Sequence, residues 1–276
     1  IAYSRDVRHF FEIAYTVARH RTLSNINNVV KNIVAKKWLD RNKGKRFFMF
    51  MDYSVHWPYD PPKQFLGRLP EGVTGEDLRN ARRDVYELIT DMSGKNLTIL
   101  QSLYNGQVGY FDSCLSQMVG HLKSLDLWDN TLLIVTSDHG DLLGEHGLLT
   151  YQFVLYEPLI KVPLIVRFPD LFTGGKRHSG LVQTLDILPM LIDYLSIDRM
   201  DVSREVQGKS LLRLVNGDDQ REFTISERAD WLPSVERSRH RIDYLKKEYP
   251  NFDWERYAHE IVALRTERYK YIWSSE

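Results

Sequence analysis

The 276-residue chain carries 37 basic and 37 acidic side chains, a formal charge of zero, and one cysteine. A neutral chain with no basic tract offers nucleic acid no electrostatic footing, and a single thiol excludes an internal disulfide framework without fixing the compartment. No apolar run approaches bilayer-spanning length, so the composition points to a globular piece with room for a sizeable core.

In chain order, Leu23 to Asn42 reads as a surface helix with Ile26, Val30, Ile33 and Val34 facing inward. Phe47 to Met51 reads as a strand. Thr74-Gly75-Glu76-Asp77 starts a helix through Ala81, Val85 and Ile89, and Ser93-Gly94-Lys95-Asn96 breaks it ahead of a longer one. On that longer helix Tyr104, Val108, Phe111, Leu115, Met118, Leu122 and Leu125 recur at four-and-three spacing, a buried face that leaves Cys114 beside the core. Leu132 to Val135 and Leu164 to Val166 are apolar runs with the pattern of strands buried on both faces of an α/β sheet. Leu132 to Val135 and Phe47 to Met51 are too uniformly apolar for edge strands, so each expects neighbours on both sides. Thr173-Gly174-Gly175 is a turn, Leu185 to Leu195 a short helix, and Ile197 to Glu205 a polar connector. From Arg221 onward aromatic and charged residues increase, with a helical insert around Arg237 to Lys247 and no internal repeat.

The chemistry concentrates just past the Leu132 to Val135 strand. Asp138 and His139 fall at the carboxyl end of a strand, where open α/β sheets bind ligands, and Gly140 leaves the backbone free to turn. An Asp oxygen beside a His nitrogen suits a divalent cation, which can hold and polarise an anionic ester. The other reading of an Asp-His pair is a turn or a helix cap.

Ser137-Asp138-His139-Gly140, then Gly144-Glu145-His146-Gly147, then Tyr156-Glu157-Pro158 running into Val162-Pro163-Leu164-Ile165-Val166-Arg167 resembles the signature of the sulfatase family within the alkaline-phosphatase-like superfamily. Further matches follow in family order. Phe47 to Pro62 resembles an earlier strand and a His-x-Pro-Tyr loop, Tyr104 to Ser137 the long helix and strand leading to the metal pair, and Leu181 to Leu212 a helix and a Gln-Gly-x-Ser-Leu turn. Val262 to Trp273 resembles the paired strands of a smaller C-terminal sheet.

The resemblance implies a partial three-layer α/β/α alkaline-phosphatase-like core over residues 1–218 and a small C-terminal α+β subdomain over residues 219–276. It implies a metal-dependent sulfuric ester hydrolase acting on a small-molecule or carbohydrate sulfate ester. Asp138 and His139 are the implied metal ligands. Calcium is the metal the family usually holds, with manganese, magnesium or zinc as alternatives. His56 is the implied catalytic histidine, holding the sulfate or assisting the leaving oxygen; its other role is to cap the Trp57-Pro58-Tyr59 turn. Tyr151 stands where the family commonly has a Lys or His that binds the transferring anion, and it supplies a hydrogen bond but no positive charge. His146 is a second substrate-binding candidate, or else it fixes its loop. His139 in a place where many sulfatases have Asn is shared with phosphonate and phosphodiester hydrolases of the superfamily, so phosphate-type esters stay open. Residues 60–96 and 229–256 are the expected specificity loops.

The family's first acidic strand and its Cys-x-Pro-x-Arg or Ser-x-Pro-x-Arg nucleophile have no counterpart, because none of the ten prolines follows Cys, Ser or Thr by two positions. The expectation is a piece of such an enzyme carrying half of the active site, with a formylglycine nucleophile in the N-terminal part. A noncatalytic binding module that keeps the fold is the alternative.

Overall fold

The computed structural model describes residues 24–41, 52, 54–67, 69–87, 94–151, 154–169, 171–172, 174–196, 206–217, 220–228, 247 and 260–275. The chain divides into two compact units, residues 1–131 with 143–150 and residues 132–142 with 151–276. The expected strand at 47–51, the connector at 197–205 and the helical insert at 237–246 lie outside the described residues.

The first unit is built on three helices, α1 (Ser24–Arg41), α2 (Gly75–Glu87) and α3 (Gly94–Ser124). The helix starts match the sequence signals for a physical reason. Thr74 Oγ1 accepts from the Asp77 N–H at 3.2 Å while Asp77 Oδ2 accepts from the Thr74 N–H at 2.7 Å, so two backbone donors of the first turn are satisfied reciprocally. The bond from the Thr74 backbone N–H foremost, then those from the Thr74 hydroxyl and Lys95, hold the Asp77 carboxyl below its usual range. Tyr59, Ala81, Ile99, Leu100, Leu103 and Leu149 form the core of this unit, with Trp57, Leu66, Val73 and Leu78 packed against them.

The buried face of α3 differs from the one its large apolar residues suggest. It runs through Ile99, Leu100, Leu103, Gly106, Gln107, Tyr110, Cys114 and Leu122; of the expected face Leu122 is buried, whereas Val108 is 42% exposed. Close approach decides this: a Cβ on Gly106 would lie 2.7 Å from Pro61 Cγ and 2.9 Å from the Phe65 carbonyl oxygen. Cys114 is therefore in the core, not beside it. Burial first, then the Asp52 carboxylate, push its thiol up, and burial pushes Tyr110 up to about 12.

In the second unit β1 (Leu133–Thr136) pairs antiparallel with β4 (Leu164–Arg167), with Leu133 opposite Arg167 and Thr136 opposite Leu164. Between them in sequence, and belonging to the first unit from Leu143 to Thr150, β2 (Leu142–Leu143) and β3 (Leu149–Thr150) form a short ladder around the Glu145–Gly147 turn. The short helix α4 (Glu157–Ile160) precedes β4, and α5 (Ile187–Tyr194) and α6 (Leu211–Asn216) follow it. Phe168, Met190, Leu211 and Leu214 form a core that Leu132, Ile134, Leu164 and Val166 join. Those strand residues share one face of the pleat. On the other face Ile165 is 60% exposed, so within this unit the pair is covered on one side, not on both as its uniform apolarity suggests.

The last three strands, β5 (Thr224–Arg228), β6 (Ile261–Arg265) and β7 (Lys270–Ser274), form an antiparallel sheet in chain order. The hairpin β6–β7 is where the sequence places it; β5 was legible only as part of a charged, aromatic stretch. Ile261 and Ala263 pack with Leu155 and Ile160. At the turn end of the hairpin, Glu157 Oε1 receives Arg265 Nε at 3.4 Å and Lys270 Nζ at 3.1 Å.

A fully buried carboxylate joins the helical part of this unit to that sheet. Asp186, 0% exposed, accepts from the Gln183 and Lys209 backbone N–H groups at 2.7 and 2.9 Å and pairs with the Arg221 guanidinium. Gly208, at φ +100°, permits this approach, since a Cβ there would lie 2.7 Å from the Leu185 carbonyl oxygen. Gln183 extends the knot by donating to the Ile225 carbonyl of β5 at 2.8 Å.

Two outcomes are expected. Arg221→Ala leaves a buried charge without its partner and lowers stability by about 3–5 kcal/mol in urea unfolding; a loss below about 1 kcal/mol, as for an exposed pair, would show that the knot is incidental. Raised and buried, Cys114 holds little thiolate, so a disulfide reagent at roughly pH 8 modifies it far more slowly in the native chain than in the unfolded one.

Candidate functional site

The loop leaving β1 is fixed through its backbone while its side chains stay reachable. Ser137 Oγ donates to the His139 carbonyl at 2.7 Å, Asp138 Oδ1 accepts from the His139 N–H at 3.0 Å, and the Gly140 N–H donates to the Leu159 carbonyl at 2.8 Å. Gly140 is required for proximity, not for the turn conformation expected from sequence: a Cβ there would lie 2.0 Å from the Pro158 carbonyl oxygen. The loop is thus seated on α4 through a contact that only glycine allows.

The Asp138 side chain is 81% exposed and that of His139 34%. His139 Nδ1 lies 2.9 Å from the Gly140 carbonyl oxygen. A carbonyl only accepts, so this contact assigns the proton to Nδ1 and leaves the lone pair on Nε2. Nε2 stands 3.9 Å from Asp138 Oδ2. One nitrogen and one carboxylate oxygen at that spacing, both accessible, are donors that fit a single divalent cation. Among the described residues no three His, Cys, Asp or Glu side chains gather as a metal-holding group, so the pair offers only part of a coordination shell.

Tyr151 joins this pair through its ring. Its ring stacks on the His139 imidazole, centroids 4.1 Å apart and planes inclined by 32°. Sequence reasoning named both residues without anticipating the contact, because residue type reports a hydroxyl and says nothing of where the ring face lies.

His56 and His146 belong to the first unit, whereas Asp138, His139 and Tyr151 belong to the second. His56 is half-buried, and its Nδ1 is within hydrogen-bond distance of the Trp57 carbonyl oxygen. His146 is exposed on the Glu145–Gly147 turn at φ +57°, beside Glu145, whose carboxylate accepts from the Leu143 N–H at 2.6 Å. Gly144, at φ +105°, keeps that turn against α3, where a Cβ would meet Leu97 Cδ1 at 2.6 Å.

Comparison with known structures gives the class first. The chain aligns with the crystal structure of a phosphonate monoester hydrolase of Agrobacterium radiobacter at TM-score 0.66 and 20% identity, over 90% of this chain and 52% of that one. A structure described in complex with its substrate D-glucosamine-2-N,6-O-disulfate aligns at TM-score 0.52 and 21% identity, over 72% and 36%. The fold is thus the α/β fold of the alkaline-phosphatase-like enzymes. The sulfatase family profile matches residues 12–197, and the profile of the N-sulphoglucosamine sulphohydrolase C-terminal region matches residues 144–275; the chain belongs to the sulfatase family. It is 29% identical over 189 residues to the arylsulfatase of Clostridium perfringens, covering 63% of this chain and 38% of that relative, so it spans about two fifths of that protein's length.

The seating of the loop is directly testable. Gly140→Ala forces Cβ against a backbone carbonyl that cannot rotate away, and it lowers stability by about 1–3 kcal/mol, as overpacking does. Hydrogen exchange reads the same event at one amide: residue 140 loses protection first. Unchanged protection there would mean that the contact with α4 is not made in solution.

Proposed function

We propose that the protein is a metal-dependent sulfuric ester hydrolase, acting on a small-molecule or carbohydrate sulfate ester, in which Asp138 and His139 hold part of the cation's shell. The observation that carries this reading is the accessible oxygen and nitrogen pair set 3.9 Å apart, with His139 Nδ1 2.9 Å from the Gly140 carbonyl oxygen. Family membership supports the reaction class.

A bound cation supplies charge withdrawal from the ester oxygens; calcium is the first choice, with manganese, magnesium and zinc as alternatives. Asp138 contributes a hard anionic oxygen. His139 contributes a nitrogen that must be unprotonated to coordinate, so binding weakens in acid. Tyr151 touches the site through His139. The sequence has no Cys/Ser-x-Pro-x-Arg run, and Cys114 is buried in α3. A formylglycine would fill the nucleophile's role in the complete enzyme.

The phosphonate monoester hydrolase likeness favours one second reading, hydrolysis of a phosphonate monoester or phosphodiester by the same site. Turnover of 4-nitrophenyl sulfate and of a 4-nitrophenyl phosphonate ester by the complete polypeptide separates the two. The sulfatase reading expects faster turnover of the sulfate, loss on chelation, recovery with Ca²⁺ or Mn²⁺, and a fall in kcat/KM of at least about a hundred-fold in Asp138→Ala. A preference for the phosphonate ester selects the second reading, and absence of both turnover and cation binding selects a noncatalytic module.

A further inference from the structure

We propose that Tyr151 is a positioning residue that acts through His139: its ring face, not its hydroxyl, holds the imidazole so that Nε2 stays beside the Asp138 carboxylate. The inference rests on the reading of Asp138 and His139 as cation ligands.

The argument starts from what the backbone leaves undetermined. The Ser137 hydroxyl, the Gly140 N–H and the close approach of Gly140 to Pro158 fix the main chain from Ser137 to Gly140. They do not fix the two torsions of the His139 side chain. An imidazole on a loop whose neighbouring carboxylate is 81% exposed has solvent on hand to compete for its polar atoms. Two contacts settle it. The Nδ1–H bond to the Gly140 carbonyl, 2.9 Å, pins one edge of the ring. The Tyr151 ring, with centroids 4.1 Å apart and planes 32° from parallel, pins the plane. An edge and a plane together define the ring's orientation, and with it the direction of the Nε2 lone pair.

This assigns Tyr151 a different part from the one its position in the sequence suggests. A side chain reaching for an anion needs only its terminal polar atom, whereas this contact needs a flat face of aromatic size. A lysine there could not present a flat face to the imidazole. Phenylalanine preserves the required feature; leucine fills similar space without a π face, and alanine removes both.

The experiment compares wild type with Tyr151→Phe, Tyr151→Leu, Tyr151→Ala and Asp138→Ala. Long-range ¹H–¹⁵N correlations of the His139 ring report its tautomer, and calorimetric titration with Mn²⁺ and with Ca²⁺ reports affinity. The tautomer needs no loaded metal to be read. Wild type and Tyr151→Phe are expected to show the Nδ1–H form, whereas Tyr151→Leu and Tyr151→Ala show averaging between the two tautomers. Loss of an outer-sphere partner costs metal sites about ten- to a hundred-fold, so the Leu and Ala variants should bind at least about ten-fold more weakly while the Phe variant stays within about two-fold. If Phe loses as much as Leu, the hydroxyl carries the effect and the proposal fails. If Leu and Ala keep both tautomer and affinity, stacking is incidental and it fails as well. Asp138→Ala separates this from failure of the underlying reading: cation affinity unchanged in that variant overturns the metal site itself, whatever the tautomers show.

Discussion

One peptide, that of Gly140, ties the chemistry-bearing loop to the second unit. Because β1 and β4 are antiparallel with Thr136 opposite Leu164, β1 ends where β4 begins, and the loop after β1 and the α4 segment before β4 leave from the same end of the ladder. The Gly140 N–H to Leu159 bond closes that gap, and the missing Cβ lets the two backbones touch. A net gain of about 1 kcal/mol is all such a bond usually brings. Its importance is geometric: the main chain around Asp138 and His139 is ordered in advance, so a ligand arriving at their exposed side chains need not pay for ordering the loop.

The same economy governs the rest of the unit. Asp186 is buried without solvent, which is tolerable only because backbone donors and the Arg221 guanidinium surround it. Those partners come from a 3-10 turn, from the segment before α6 and from the segment before β5, so satisfying one carboxylate fixes three stretches of chain at once. Glu157 does the like at the surface, drawing Arg265 and Lys270 of the hairpin toward α4. The antiparallel sheet is thereby joined to the segment that seats the Gly140 loop. Its outer face keeps Ile225, Leu264 and Tyr271 in cross-strand register and exposed.

What could be read from sequence depended on whether a signal was local. Thr74 and Asp77 announced α2 because a capping pair acts across three residues, and the apolar runs announced β1 and β4. Hydropathy could not say that those strands pair antiparallel, or that Leu132, Ile134, Leu164 and Val166 are the ones that face a core within their unit. The α3 face was misjudged because Gly106 and Gln107 are buried for reasons of space and polarity that a pattern of large apolar residues ignores. Strand β5, Thr-Ile-Ser-Glu-Arg, is short and polar and gains its identity from β6 beside it. Around the candidate site the adjacency of Asp138 and His139 was legible in the sequence, whereas the contacts of Gly140 and Tyr151, like those of Asp186 elsewhere in the unit, were not, since each involves an atom distant in sequence.

Two side chains are too few to hold a divalent cation firmly, and this shapes what a site of this kind can do. Calcium takes six to eight oxygens and zinc about four donors, so a cation on Asp138 and His139 alone would keep most of its shell as water or exchange it for other oxygens. Open positions are what a hydrolytic cation requires, because an ester oxygen must enter the shell to be polarised. With few ligands, the orientation of each one weighs more: a carboxylate can approach by either oxygen, but an imidazole has a single lone pair in the plane of its ring. His139 is therefore the donor on which geometric control is most needed, and it is the one held at both edge and face, by Gly140 and by Tyr151.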